Sequence, residues 1–220
     1  MDNDMILKLA ADNVEYGDVD RLVNIYWALS SALVQGVAGD VVEAGCHAGN
    51  TSVFLQRLIK EFAPERELHL YDSFEGLPKP SEHDTFLTEG ALKVDLTDLK
   101  ATFAKWELPL PNVHAGWFDE TLPTQLPDRV CFAYLDGDYY DSIRVSLEHV
   151  YPRLSDGGIL IVDDYCDSGR NPQAFDRFSG PKRACDEFFA DKPEKVSVLV
   201  GSGDLAFGYI RKGWVAPPGH

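Results

Sequence analysis

Two uninterrupted apolar runs, each closed by carboxylates, constrain this chain more than any other feature. The first, Val130-Cys-Phe-Ala-Tyr-Leu135, ends in Asp136-Gly137-Asp138; the second, Ile159-Leu-Ile-Val162, ends in Asp163-Asp164. Runs of this length without polar alternation read as strands buried on both faces, the habit of parallel sheets covered by helices. Ligands of an open α/β sheet bind just outside the carboxyl ends of its strands. If the two strands are neighbours, about 4.8 Å apart, three or four carboxylates converge on one point. Like charges gathered in this way call for a cation. The expectation is a divalent-metal site beside a cofactor pocket.

The rest of the chain alternates in the same sense. Residues 4–13 and 19–36 read as helices, the second with Leu22, Val23, Ile25, Tyr26, Leu29, Leu33 and Val34 at helical spacing. A strand at 41–45, a helix at 52–62 and a strand at 67–72 follow. Residues 73–94, rich in Gly, Pro and charge, read as a long functional loop or lid. Asp95 or Thr97 is placed to cap a helix running to about residue 106. Short strands at 112–115 and 130–135 precede a helix with Ile143, Leu147, Val150 and Leu154 inward and Asp141 as its expected cap. Residues 172–190 read as mostly helix, interrupted near Gly180-Pro181. Strands at 195–200 and 205–211 flank Gly201-Ser-Gly-Asp204, a hairpin signal. Five βα-type strands followed by a hairpin imply an α/β, Rossmann-like sheet of seven mostly parallel strands with one antiparallel strand. The expected organisation is an N-terminal helical extension over 1–38, the main domain over 39–212 and a loose tail over 213–220.

Composition narrows the partners. Twenty basic against 36 acidic residues give a net charge of −16, which argues against nucleic acid and anionic membrane. The four cysteines are scattered without a C-x-x-C pair, so a disulfide framework or zinc site is not expected. Met1 is followed by Asp-Asn-Asp, and no apolar run approaches a membrane span. The expectation is a cytoplasmic protein.

Val42-Glu-Ala-Gly45 closes the first strand, and Gly49 opens the following helix. The two glycines permit a tight turn and a close backbone approach to a ligand. Their spacing is not the dinucleotide fingerprint G-x-G-x-x-G. Glu43 at the entrance suits the ammonium and sulfonium of S-adenosylmethionine (SAM) better than a pyrophosphate. Asp72, at the end of the second strand, is placed to accept hydrogen bonds from ribose hydroxyls. Trp117 is a candidate for packing on adenine or for pocket wall.

Four motifs in order, Tyr71-Asp-Ser-Phe-Glu-Gly-Leu-Pro78, Gly116-Trp-Phe-Asp-Glu-Thr-Leu-Pro123, Leu135-Asp-Gly-Asp-Tyr-Tyr-Asp-Ser142 and Val162-Asp-Asp-Tyr165, resemble the signatures of the macrocin (TylF-type) O-methyltransferases, class I SAM-dependent enzymes of natural-product biosynthesis. The resemblance covers roughly residues 40–212. It implies Asp136, Asp163 and Asp164 as Mg²⁺ ligands, Asp138 as general base, and Glu43, Gly45, Asp72 and Ser73 as parts of the SAM pocket. It also implies a homodimer through the N-terminal helices and a sugar or glycosylated metabolite as acceptor.

The residues themselves support such chemistry. A sugar hydroxyl is a weak acid, so its methylation at neutral pH benefits from a Lewis acid and a base. Hard carboxylates with open coordination positions suit Mg²⁺ and could leave room for two adjacent hydroxyls. Three other readings stay open at this level. They are a catechol-type methyltransferase acting on a phenol, a noncatalytic SAM- or metal-binding protein, and, disfavoured by the glycine spacing, an NAD-binding oxidoreductase.

Overall fold

The computed structural model describes residues 3–12, 19–200 and 206–214, and seven strands there form one sheet in the order β3-β2-β1-β4-β5-β7-β6. Strands β1 (Asp40–Ala44), β2 (Leu68–Asp72), β3 (Asn112–Ala115), β4 (Val130–Leu135) and β5 (Leu154–Asp163) run parallel. β7 (Ala206–Arg211) lies antiparallel between β5 and β6 (Ser197–Val200). This is the expected sheet, with β7 as its reversed strand. The turn expected at 201–204 lies outside the described residues, as does the tail from 215.

The unbroken apolar runs are explained by two cores. Along β4, Phe132 and Tyr134 join Val41, Ile159 and Ile161 on one face, while Ala133 and Leu135 join Val42, Leu160 and Val162 on the other. Every residue of β4 is buried, and full burial of each large apolar side chain contributes about 1.5–3 kcal/mol. Helices α1 (Asn3–Asp12), α2 (Val19–Val34), α3 (Asn50–Phe62) and α4 (Leu96–Lys105) cover the first face. Helices α5 (Phe118–Gln125), α6 (Tyr140–Arg153) and α7 (Ser179–Phe188) cover the second.

Several local expectations need correction. In α2 the buried stripe is Leu22, Ile25, Ala28, Leu29, Ala32 and Leu33; Val23 and Val34 are exposed, because the small alanines let the helix sit closer on a slightly rotated face. Asp95 is the N-cap of α4, and its N–H donates to the Asp98 carboxylate at 2.9 Å. The cap of α6 is not Asp141, which sits inside the first turn. Asp84 reaches over from the loop between β2 and α4 instead and accepts the Tyr140 N–H at 2.9 Å. α7 is much shorter than 172–190. It starts at Ser179, with Pro181 in its first turn, where a missing N–H costs little. Pro181 therefore begins this helix rather than interrupting it, and 164–178 is a loop. α5 was not expected; its eight residues carry Pro123 and only a weak apolar stripe.

Candidate active site

A cavity of about 750 Å³ opens at the carboxyl ends of β1, β2, β4 and β5. Glu43, Gly45, Asp72, Ser73, Trp117, Asp136, Asp138 and Asp164 all line it. Gly49 and Asp163 stand behind its wall. Gly49 is the left-handed N-cap of α3, where an added Cβ would lie 2.4 Å from the Leu99 side chain.

The glycine turn is dictated by crowding between neighbouring strands. Gly45 has φ +92°, and a Cβ there would fall 1.8 Å from the Asp136 carbonyl oxygen. The Gly45 N–H donates to Tyr71 O, and the Asp136 N–H donates to Ala44 O, both at 2.8 Å. Asp72 ties the turn to the long loop. Its carboxylate accepts the His47 N–H at 2.8 Å and the Phe74 N–H at 2.9 Å. Ser73 Oγ donates to Gly76 O at 3.0 Å, folding the start of the same loop. Glu43 is 1% exposed and accepts a hydrogen bond from Ser52 Oγ. Burial pushes its carboxyl up to about 8, with Ser52 opposing the shift.

The two acidic clusters do meet, because β4 and β5 pair with Leu135 opposite Val162. Oxygens of Asp136, Asp138 and Asp164 lie within 4.8 Å of one another. Asp138 (φ 57°) and Asp164 (φ 56°) hold left-handed conformations that turn the chain sharply at the strand ends, a region Asp tolerates better than most residues. Asp163, expected in the metal set, is not among these three and has other partners. One of its oxygens accepts from Tyr134 Oη at 2.7 Å and pairs with Arg21 Nη2 at 2.9 Å. The other accepts the Asp164 N–H at 3.0 Å.

Arg21 escaped the sequence reading. It sits in the first turn of α2, which brings the guanidinium to the strand ends, with Nη1 also 3.9 Å from Asp136. Burial opposes its charge, yet Asp163 and its neighbours outweigh that and raise its pKa. One guanidinium does not balance the cluster. Burial, then Asp163, raises the carboxyls of Asp136 and Asp164 well above the carboxylate range and that of Asp138 to about 7. The group is short of positive charge. Also missed were Phe86, Phe175 and Phe178, which line the outer part of the cavity. No periodicity could have marked residues on two irregular loops.

Comparison with known proteins identifies the chain's relatives. The chain is 36% identical over 156 residues to the 8-demethyl-8-(2,3-dimethoxy-alpha-L-rhamnosyl)-tetracenomycin-C 4'-O-methyltransferase of Streptomyces olivaceus, covering 66% of this chain and 60% of that protein. It is 36% identical over 159 residues to the mycinamicin III 3''-O-methyltransferase of Micromonospora griseorubida, covering 66% and 63%. The chain thus spans less than two thirds of the length of these curated relatives. The solved structure of the O-methyltransferase NovP superposes with a TM-score of 0.73 at 27% identity, over 89% of this chain and 81% of that one. The family described as Macrocin-O-methyltransferase (TylF) matches residues 16–188, and the chain belongs to that family.

Proposed function

We propose that the protein is a SAM-dependent, Mg²⁺-assisted O-methyltransferase acting on a sugar-type hydroxyl, one of a vicinal pair, in a glycosylated small molecule. The observation that carries this reading is the meeting of the acidic cluster and the glycine turn in one cavity. Three carboxylate oxygens within 4.8 Å, short of positive charge, fit a hard divalent cation. Asp136 and Asp164 would hold it. Such an ion would supply Lewis acidity toward the acceptor oxygen. Glu43, buried and facing the cavity beside Gly45, fits the cationic end of SAM; Asp72 and Ser73 fit its ribose, and Trp117 its adenine.

The chain's own residues then divide the work. Gly45 allows the backbone to approach the methyl donor closely. Asp138 takes the proton of the attacking hydroxyl on its carboxylate. Arg21 pairs with Asp163 and fixes it behind the cluster, so the end of β5 presents Asp164. The loop over 73–94 covers the cavity and excludes water.

Glu43 makes the cofactor part testable. Its carboxyl is neutral at pH 7 in the free protein, and a cationic ligand would draw it into its charged form. SAM binding at pH 7 is therefore expected to release about 0.9 proton, and affinity should climb up to about pH 8 and then flatten. Stability of the free protein runs the other way. The raised carboxyl favours folding below about 4.5, and that contribution is lost as pH rises to about 8. Calorimetry of SAM binding in two buffers of different ionisation enthalpy reads the proton directly. Glu43→Gln should abolish the release and weaken SAM about 10–100-fold. SAM bound without proton release would remove Glu43 from the ligand's cationic end, and failure of folded protein to bind SAM would sink the reading.

The proposal includes a cytoplasmic homodimer. No helix among the described residues is long and apolar enough to cross a membrane. Val23, Trp27 and Val34 remain 48%, 50% and 70% exposed on α2, a face suited to a second copy. Light scattering should return a dimer mass, and Trp27→Glu should shift it to the monomer. A monomer mass for the unaltered protein at micromolar concentration rejects this part alone.

A further inference from the structure

We propose, resting on the metal part of the reading above, that Arg21 holds down the affinity of the acidic cluster for its divalent ion: a fixed positive charge beside Asp136 opposes the incoming cation, so loss of Arg21 tightens metal binding. Two contacts place the guanidinium there. Nη2 pairs with Asp163 at 2.9 Å, and Nη1 stands 3.9 Å from Asp136, one of the three aspartates whose oxygens converge. Among the described residues, no other Lys or Arg forms an ion pair with the four aspartates at the ends of β4 and β5. Arg21 also lines the cavity, so its charge acts on what that cavity holds.

The hydrogen bonding of the guanidinium is incomplete. Its Nε–H is enclosed and has no hydrogen-bond partner among the described residues. Nη1, at 3.9 Å, is beyond hydrogen-bond reach of Asp136. A buried polar group kept for structure alone normally has its donors met, and an enclosed orphan donor is costly. Here one strong contact, to Asp163, fixes the head group, and the rest of its charge is left facing the cluster. Asp163 is fully engaged in turn. Tyr134 and Arg21 share one of its oxygens, and the Asp164 N–H takes the other.

The size of the effect follows from the charges. One charge within about 4–6 Å of a site changes an ionic equilibrium there by about one to three powers of ten. With all four aspartates ionised around a divalent ion, Arg21 leaves one negative charge in excess, and its removal would leave two. The cluster without Arg21 is the tighter trap. With Arg21 in place the ion is held less tightly, and more of its pull is left for a neutral alcohol oxygen. Arg21 is in this sense a positioning residue that acts through the metal and touches neither donor nor acceptor.

The test is Mn²⁺ binding to the metal-stripped full chain, read by electron paramagnetic resonance at one pH and ionic strength, with circular dichroism to confirm the fold. Arg21→Met, which keeps an unbranched stem and removes the charge, should bind Mn²⁺ about 10-fold or more tighter than the unaltered protein. Arg21→Lys, which keeps the charge, should stay within about 3-fold of it. Loss of a merely structural contact would loosen the site, so the direction of the change separates the two roles. Arg21→Met strands Asp163 without its cation, and a second comparison removes that difficulty. Arg21→Met/Asp163→Asn should bind Mn²⁺ about 10-fold or more tighter than Asp163→Asn alone. Affinity unchanged or lowered by loss of Arg21 in a folded protein, or Arg21→Lys binding as tightly as Arg21→Met, would overturn the proposal while leaving the metal reading in place. If the unaltered protein binds no Mn²⁺ at millimolar concentration but Arg21→Met does, the proposal stands. If neither binds, the proposal and the metal part of the proposed function fall together, and SAM binding is judged separately.

Discussion

Asp138→Asn is expected to lower turnover on an alcohol acceptor by about 10²–10⁴-fold, the usual contribution of a positioned base. The substitution keeps shape and removes only the capacity to take a proton. Asn also tolerates the left-handed backbone found at this position (φ 57°), so the fold should survive. SAM affinity should stay within about threefold, because a base acts in the transition state and not in cofactor binding. The close approach of Asp138 to Asp136 and Asp164 makes a second readout necessary. Mn²⁺ affinity, followed by electron paramagnetic resonance, should be largely retained if Asp136 and Asp164 carry the ion. If metal affinity collapses together with turnover, Asp138 is a ligand and another group takes the proton. Near-normal turnover would point to a more acidic phenolic acceptor, for which a base matters less. Single-turnover methylation with labelled SAM separates these outcomes from product release.

The sheet was legible in the sequence because its strands are buried on both faces. Val130–Leu135 has no polar position, and only a central parallel strand explains that. The pairing of β4 with β5 then brought Asp136, Asp138 and Asp164 together without further information. The glycine turn was legible for a related reason: a Cβ at Gly45 would fall 1.8 Å from the Asp136 carbonyl oxygen, so only glycine fits there. What escaped was long-range and local-pattern-free. Asp141 looked like a helix cap, yet the cap is Asp84, more than fifty residues upstream, and no spacing rule reaches that far. The stretch 172–178 read as the start of a helix, but Phe175 and Phe178 pack on Phe86 of the other loop and hold it irregular. Arg21 lay in an amphipathic helix, outside the apolar stripe that marked the helix, and nothing local singled it out. Its partner, Asp163, lies 142 positions away, and only the packing of α2 across β4 and β5 joins them.

On the proposed reading that pairing divides two adjacent carboxylates by role, and the division has a large expected effect. Asp163→Ala should destabilise the protein by about 3–5 kcal/mol, because it leaves Arg21 charged and partly buried with only the longer 3.9 Å contact to Asp136. Tyr134 loses its acceptor in the same step, and its hydroxyl is enclosed with no other bond described. For a chain of this size the cost corresponds to a fall in Tm of roughly 6–20 °C. Asp164→Asn should act differently. Its carboxylate borders the cavity and carries no such ion pair, and Asn accommodates the left-handed backbone (φ 56°). Its Tm should move by only about 1–3 °C, while Mn²⁺ affinity falls about 100-fold or more with the loss of a charged ligand. Thermal unfolding and Mn²⁺ titration of both variants decide the matter. A Tm unchanged in Asp163→Ala would mean that the Arg21 ion pair does not anchor β5. Equal loss of metal affinity in Asp163→Asn, which preserves shape and hydrogen bonding, would return Asp163 to the metal set. The expected pattern makes Arg21 and Asp163 the fixed support of a site whose working face is Asp136, Asp138 and Asp164. Helix α2 would then be part of the catalytic architecture, since it delivers the one Lys or Arg that the described residues place at the acidic cluster.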